Sequence, residues 1–499
     1  MAGHGIGVRQ ARAAALGLTA LLCASCATEP QRAAPLPEPP PRVESDAPFA
    51  WGTARTMSRE LAPVGKALAG VGLEVANAPC AWLRWEPGAV PDWERVDAWV
   101  VALQSAGIRD LELCLDFHAL RASDTLLKPR SDLPADPEQR AALAEWAASV
   151  VERYDDDGDF DAPGLDGSVR RFRIGSDLHA GGIEPFADYP ELLVRFQTAF
   201  REASDRVVVV LPPLRARGAP PGAVAARLDA LATATDVFDE WTIEASGSAE
   251  ELDAWLAWLA VNGGGKPIQV IGGTTAPVAE EGAPSRCDQK GPERARLGPA
   301  TPESDRCAIA AAFDALLRGS PEAIAWARAS AARNVVTKGL VLARRGVRRA
   351  ELASATDATW WSDPSFHAAA GLAAWSGLLE RDGHRGYPAF FAYRQLERAL
   401  ARREEIERLP LDSQQVHVYA LDGNDGRAWV GWYEPPHFVG PGDPLPPVLV
   451  QLDIDADRVR VEHTVTEVGV TSSEASVREL GDEPLWIELT PTPAFVYPD

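Results

Sequence analysis

Residues Asp155 to Asp161 read DDDGDFD, and the carboxylates of Asp155, Asp157, Asp159 and Asp161 alternate as the oxygen ligands of a calcium loop do. Against a helix-loop-helix calcium loop counted from Asp155, the invariant glycine falls on Phe160 and the bidentate glutamate on Asp166. The segment therefore offers oxygen ligation without that motif's full frame, or a solvated acidic turn between a helix and a strand. A second set of reactive side chains is the cysteines. Cys287 and Cys307 flank a polar, Gly/Pro-rich loop, and a disulfide closing it would stabilise by roughly 3 kcal/mol. Cys80 and Cys114 would be the second pair, although four cysteines allow three connectivities. Their spacing is not that of a zinc site. No GxSxG elbow, HExxH pair or Walker A loop occurs, so serine-esterase, zinc-protease and P-loop chemistry lack their signatures.

The N-terminus carries Arg9 and Arg12, an apolar run from Ala13 to Leu22, and small residues leading to Cys26. This is the layout of an export signal, and the run is too short to span a bilayer as a helix. Cys23-Ala24-Ser25-Cys26 is similar to a lipobox, which makes Cys26 the expected lipidated residue and 1–26 the signal segment. Ala27 follows it rather than an inner-membrane retention Asp, so an outer-membrane or cell-surface destination is expected. Residues 27–47 are rich in Pro, Glu and Ala and read as an extended tether. The formal charge of −23 becomes −25 once Arg9 and Arg12 leave. Such an acidic surface repels phosphate backbones, which argues against nucleic acid as a partner and also serves solubility.

The elements that must position any site come next. Between 48 and 408, short apolar runs alternate with amphipathic helical stretches, as in parallel strands linked by crossover helices. Strands are expected at Phe49 to Gly52, Leu73 to Asn77, Asp110 to Asp116, Val169 to Gly175, Val207 to Leu211, Phe238 to Ala245, Pro267 to Ile271 and Val347 to Ala355. Runs such as VVVVL suit strands covered on both faces. Asp136 followed by Pro137 opens one helix, and Ser248 with Glu251 forms a capping box for another. No Gly-rich phosphate loop follows the first strand, which weighs against a dinucleotide-binding open sheet. From 409 to 499 the period changes to two, with the turn DGNDG between HVYAL and RAWVGWY, and a small antiparallel β-sandwich is expected. The fold class is thus α/β: a (β/α)8 TIM barrel followed by a small antiparallel β-sandwich.

Several segments together resemble the clan A glycoside hydrolases, in particular their xylosidase-like bacterial branch. WEPGAVPDWERVDAWVVALQSAGI is similar to that family's second strand and helix, and VVERYDDDGDFDAPGLDGSVRRFRIGSD to the approach to its fourth strand. GYPAFFAYRQLERAL resembles its last helix and LTPTPAFVYPD its closing strand. The resemblance implies a glutamate acid/base on strand four and a glutamate nucleophile on strand seven, about 5 Å apart at the strand C-termini. Ser176-Asp177 stands where the family has Asn-Glu, and GGGKPIQVIGGTTAP places Gly272 at the nucleophile. A retaining mechanism is therefore not expected. An inverting one needs carboxylates roughly 6.5–9.5 Å apart, and Asp177 with Glu244, Asp116 or Asp357 are the candidates.

Trp82, Trp85, Trp360 and Trp361, with His118 and His179, fall where a barrel rim is expected, and indole faces stack on sugar rings. Their alternative role is packing helices onto the barrel. The resemblance thus implies a non-catalytic glycan or polysaccharide binder that needs no cofactor; a structural calcium is the exception that the spacing of the acidic turn allows. An active glycosidase with relocated carboxylates and a purely structural envelope protein are the competing expectations. The lipid at Cys26 would be the sole membrane attachment.

Overall fold

The computed structural model describes residues 33–36, 50–54, 61–70, 72–78, 80–85, 91, 93–116, 136–175, 189–216, 220, 235–245, 247–272, 308–309, 311–312, 314–316, 318–357, 375–380, 382–401, 403–424, 426–445, 447–452, 454, 456–480 and 485–498. Eight parallel strands form a closed barrel: β1 (Ala50–Ala54), β2 (Leu73–Asn77), β3 (Asp110–Asp116), β4 (Arg171–Ile174), β5 (Val208–Val210), β6 (Trp241–Glu244), β7 (Ile268–Ile271) and β8 (Arg349–Thr356). Each pairs with the next, the β5 to β6 seam being a single bridge from Val210 to Glu240. The β8 to β1 ladder, Arg349 opposite Ala50, closes the ring. Every barrel strand expected from sequence is present, with ends shifted by a few residues.

Helices α1 (Leu61–Ala69), α2 (Trp93–Ser105), α3 (Pro137–Glu152), α4 (Tyr189–Ala203), α5 (Ala249–Asn262), α6 (Pro321–Arg344) and α7 (Pro388–Leu400) lie in the crossovers and after the last barrel strand. Asp136 caps α3, its side chain accepting from Glu138 N at 3.0 Å, and α5 opens on the full Ser248/Glu251 capping box. Leu143, Ala147, Val150 and Val151 of α3 are buried on one face, as their spacing predicts. Among the described residues no helix is long and apolar enough to cross a membrane.

The C-terminal part is a six-stranded antiparallel sheet backed by a two-stranded one. Its strands are β11 (Arg403–Arg408), β12 (Val416–Gly423), β13 (Gly426–Tyr433), β14 (Val448–Leu452), β15 (Arg458–His463), β16 (Ala475–Glu479), β17 (Leu485–Leu489) and β18 (Ala494–Pro498), after the short hairpin β9 (Gly377–Leu379) and β10 (Arg385–Gly386). The order of the larger sheet is β11-β12-β13-β18-β15-β16, and β14 pairs with β17. Alternation along β12 sends Val418 and Ala420 into the sandwich core and Tyr419 and Leu421 into the barrel's core, so this strand is covered on both faces. Gln395 of α7 ties the two parts together. Its amide donates to His463 O at 3.0 Å and Ser473 Oγ at 3.3 Å, and accepts from Val465 N at 2.9 Å.

Two boundaries differ from the sequence reading. The antiparallel sheet begins at Arg403 rather than at 409, because β11 pairs with β12. Its charged sequence REEIER hides the strand, since both edges of its alternation are polar. The tether also does not stay free over its whole length. Ala34 and Pro35 pair antiparallel with Gly386 and Arg385, and Ala33 and Ala34 are buried. The backbone groups explain this: Ala33 N donates to Glu380 Oε1 at 3.0 Å, Leu36 N to His384 O at 3.2 Å, and Arg385 to Ala33 O at 3.2 Å. Cys26, the rest of 1–47 outside 33–36, and Cys287 and Cys307 lie outside the described residues.

Candidate functional site

In a (β/α)8 barrel the chemistry belongs to the strand C-termini and the side chains below them form the support. Here that support is ionic. Glu112 of β3, fully buried, sits between Arg173 of β4 and Arg349 of β8. Arg349 donates to Glu112 at 3.2 Å, Asp110 at 3.2 Å, Asn77 at 2.9 Å and also to Gln269. The amide of Gln269 in turn donates to Glu112 and Thr242, each at 2.8 Å. Arg171 pairs with Asp110 at 3.0 Å and with Glu240. Arg173 Nε lies 3.3 Å from Glu112 Oε1 but off the hydrogen-bonding axis, so this contact is an ion pair without a formed hydrogen bond. Asp110, Glu112 and Glu240 thus face Arg171, Arg173 and Arg349. Sequence reasoning missed this hub, although DLELCLD and RFRI carried the signal: period-two polarity in a strand with both faces covered implies a polar lumen.

The same alternation fixes which rim residues point inward. Asp116 shares the face of Glu112, and Glu244 shares that of Thr242, which meets Gln269 across the barrel wall. Asp116 is nearly buried and lies 3.5 Å from Arg84. Arg84 reaches it because Leu83 and Arg84 add a parallel pair beside Leu115 and Asp116. Glu244 is half-buried, its carbonyl accepting from Ala216 N at 2.9 Å. Asp357, just past β8, is held outside this face. Arg328 of α6 grips both its oxygens, at 2.6 and 3.4 Å, and Gly377 N donates at 3.1 Å. Arg328 is itself flattened over the Tyr387 ring at 3.3 Å. Burial pushes the Asp357 carboxyl above its ordinary range, with the Arg328 charge and hydrogen bonds opposing the shift.

β4 and β7, the strands on which the family resemblance places acid/base and nucleophile, both run into left-handed glycines, Gly175 with φ 97° and Gly272 with φ 72°. A side chain there would be strained, so the backbone at Gly272 is built for a residue with no Cβ. The buried ammonium of Lys338 in α6 is a second feature of this end, its Nζ donating to Ala245 O at 2.6 Å and fixing the close of β6. Asp177, His118, His179, Trp360 and Trp361 lie outside the described residues.

Of the aromatic candidates, Trp82 and Trp85 are partly buried against the core. Trp82 sits edge-on to Trp99 of α2 with ring centroids 6.2 Å apart, and the Arg95 guanidinium lies 5.9 Å over its ring. The Cys80–Cys114 disulfide is formed and ties the loop after β2 to the inward face of β3.

The acidic turn occupies the opposite end of the barrel, between α3 and β4. Ligand oxygens of Asp155, Asp157 and Asp161 lie within 4.8 Å of one another, whereas Asp159 is not part of the group. The local fold accounts for the omission, since Asp159 takes part through its backbone N, donating to Asp157 Oδ1 at 2.8 Å.

No protein-family model and no curated relative matches this sequence. Solved structures do. A family 39 glycoside hydrolase from Bacteroides cellulosilyticus WH2 superposes with a TM-score of 0.57 at 13% identity, over 92% of this chain and 83% of that one. A monomeric β-xylosidase from Caulobacter crescentus CB15 superposes with a TM-score of 0.51 at 13% identity, over 93% of this chain and 97% of that one. At such identities the likeness is one of fold: the chain has the glycoside hydrolase-like barrel with its C-terminal β domain.

Proposed function

We propose that this chain is a clan A glycoside hydrolase-like protein that binds glycan and does not carry out retaining hydrolysis. The observation that carries the reading is Gly272: β7 ends in a left-handed glycine where the resemblance puts the nucleophile, so no side chain there can attack an anomeric carbon. Supporting it, Arg328 grips Asp357, which weighs against that residue as a replacement acid. A barrel whose lumen is filled by paired charges still presents a rim, and rim loops can hold a polysaccharide after catalysis is lost. Export on a lipid at Cys26, to the outer membrane or cell surface, belongs to the same proposal.

Asp116 and Glu244 define the alternative, because both stand on the inward register at strand C-termini. A panel of nitrophenyl glycosides decides between them. No turnover is expected, together with retention of at least one polysaccharide on a glycan array and loss of that retention in Trp85→Ala or Trp360→Ala. Turnover abolished by Asp116→Asn, Glu244→Gln or Asp177→Asn would establish relocated catalysis instead, and binding to no glycan would leave a structural envelope protein.

A further inference from the structure

The turn from α3 to β4 carries Glu152, Asp155, Asp156, Asp157, Asp159 and Asp161 within one short stretch, while Arg153 beside them is engaged by Asp97 at 3.0 Å. Three of these carboxylates converge, with ligand oxygens of Asp155, Asp157 and Asp161 within 4.8 Å of one another. Calcium holds oxygens at about 2.3–2.6 Å, so ligands on opposite sides of the ion stand up to about 4.6–5.2 Å apart; magnesium, at about 2.0–2.1 Å, spans only about 4.0–4.2 Å.

A second observation points to a cation. Asp155 is only 6% exposed, and its Oδ1 is shielded from solvent with no hydrogen-bond donor. A shielded carboxylate oxygen without a partner is costly, and with two further acids at hand a metal ion relieves it while also offsetting the gathered negative charge. The other two carboxylates are already oriented: Asp161 accepts from Asp156 N at 3.1 Å and Gly158 N at 2.7 Å, and Asp157 from Asp159 N.

We propose that Asp155, Asp157 and Asp161 hold a calcium ion that fixes the α3 to β4 turn on the N-terminal side of the barrel. Burial, followed by the charges of Asp157, Glu152 and Asp161, pushes the Asp155 carboxyl up to about 6, as expected of acids gathered without a counter-charge. The turn matters to the barrel because Tyr154 precedes it directly. The Tyr154 hydroxyl donates to Asp97 at 2.7 Å, and its carbonyl receives Val169 N at 2.7 Å, which sets the entry into β4. The ligand set lies away from the strand C-termini, so a calcium effect on stability and a loss of glycan binding are separable.

Terbium luminescence and thermal melting of the full-length exported chain test the site, after treatment with a chelator. Tyr154 adjoins the ligands, and Trp93 lies 6.4 Å from it, so bound terbium is sensitised by near neighbours. A saturable terbium signal displaced by calcium is expected, with a higher Tm in millimolar calcium than in chelator. Asp157→Asn should weaken calcium binding by at least about tenfold, because site affinity follows the number of charged ligands, whereas Asp159→Asn should retain it. Asp155→Asn should behave as Asp157→Asn does; should it fail to fold, the exposed Asp157 carries the comparison alone. Absence of any calcium-dependent luminescence or Tm change, equal loss in Asp159→Asn, or displacement by magnesium as effective as by calcium would each overturn the assignment.

Discussion

Replacing Arg349 by Met keeps the length of the stem and removes the guanidinium that joins Asp110, Glu112, Asn77 and Gln269. Glu112, fully buried, would then keep the Gln269 amide as a donor but only Arg173 as a counter-charge, across a contact that lacks hydrogen-bond geometry. Removing one partner of a buried ion pair costs about 3–5 kcal/mol, because the remaining charge stays desolvated. Unfolding entropy of about 2.1 cal/mol/K per residue, over roughly 450 residues, amounts to about 0.95 kcal/mol/K, so Tm should fall by about 3–5 °C. Adding Glu112→Gln removes the stranded charge while leaving a side chain that can still pair with Gln269. The double variant should therefore be more stable than Arg349→Met alone, a coupling that a double-mutant cycle measured by calorimetry reads directly. Strictly additive losses, or a neutral Arg349→Met, would refute the view that opposite charges hold the barrel interior together.

Gln395→Ala should destabilise the joint between barrel and sandwich by about 1–3 kcal/mol, since it strands the buried Val465 N and removes a part-buried bond to His463 O. Limited proteolysis should then cut near Arg403 sooner than in the parent chain, and unchanged cleavage would contradict this. Asp253 supplies a pH test. Burial alone would raise its carboxyl, but hydrogen bonds and charge from Arg345 and Arg344 outweigh burial and hold it below the ordinary range. A depressed native pKa contributes stability above the unfolded value, near about 3.9, and loses it as pH falls through the native one. The Tm deficit of Asp253→Asn should thus be largest near neutrality and shrink below about pH 4; a deficit independent of pH would show that the ion pairs with α6 contribute nothing.

Much of this architecture is written in near neighbours along the chain. The runs at Leu73 to Asn77 and Asp110 to Asp116, the caps at Asp136 and Ser248, and the turn between Asp422 and Gly426 each depend on residues a few positions apart. Period and capping chemistry therefore sufficed for eight barrel strands and for most of the sandwich. The convergence of Asp155, Asp157 and Asp161 was equally local, though Asp159's exclusion depended on backbone direction within the turn.

Other features exist only once the ring closes. Glu112 and Arg349 are 237 residues apart in sequence, and nothing in DLELCLD or RAELASAT says which charge meets which. Arg328's capture of Asp357 and the seating of Ala33 to Leu36 on β10 are decided in the same way. Sequence thus determined where strands, caps and the converging carboxylates fall, because those preferences act over one or two turns of chain. Tertiary structure alone decided which buried charges neutralise one another, since that choice depends on distances set by barrel closure.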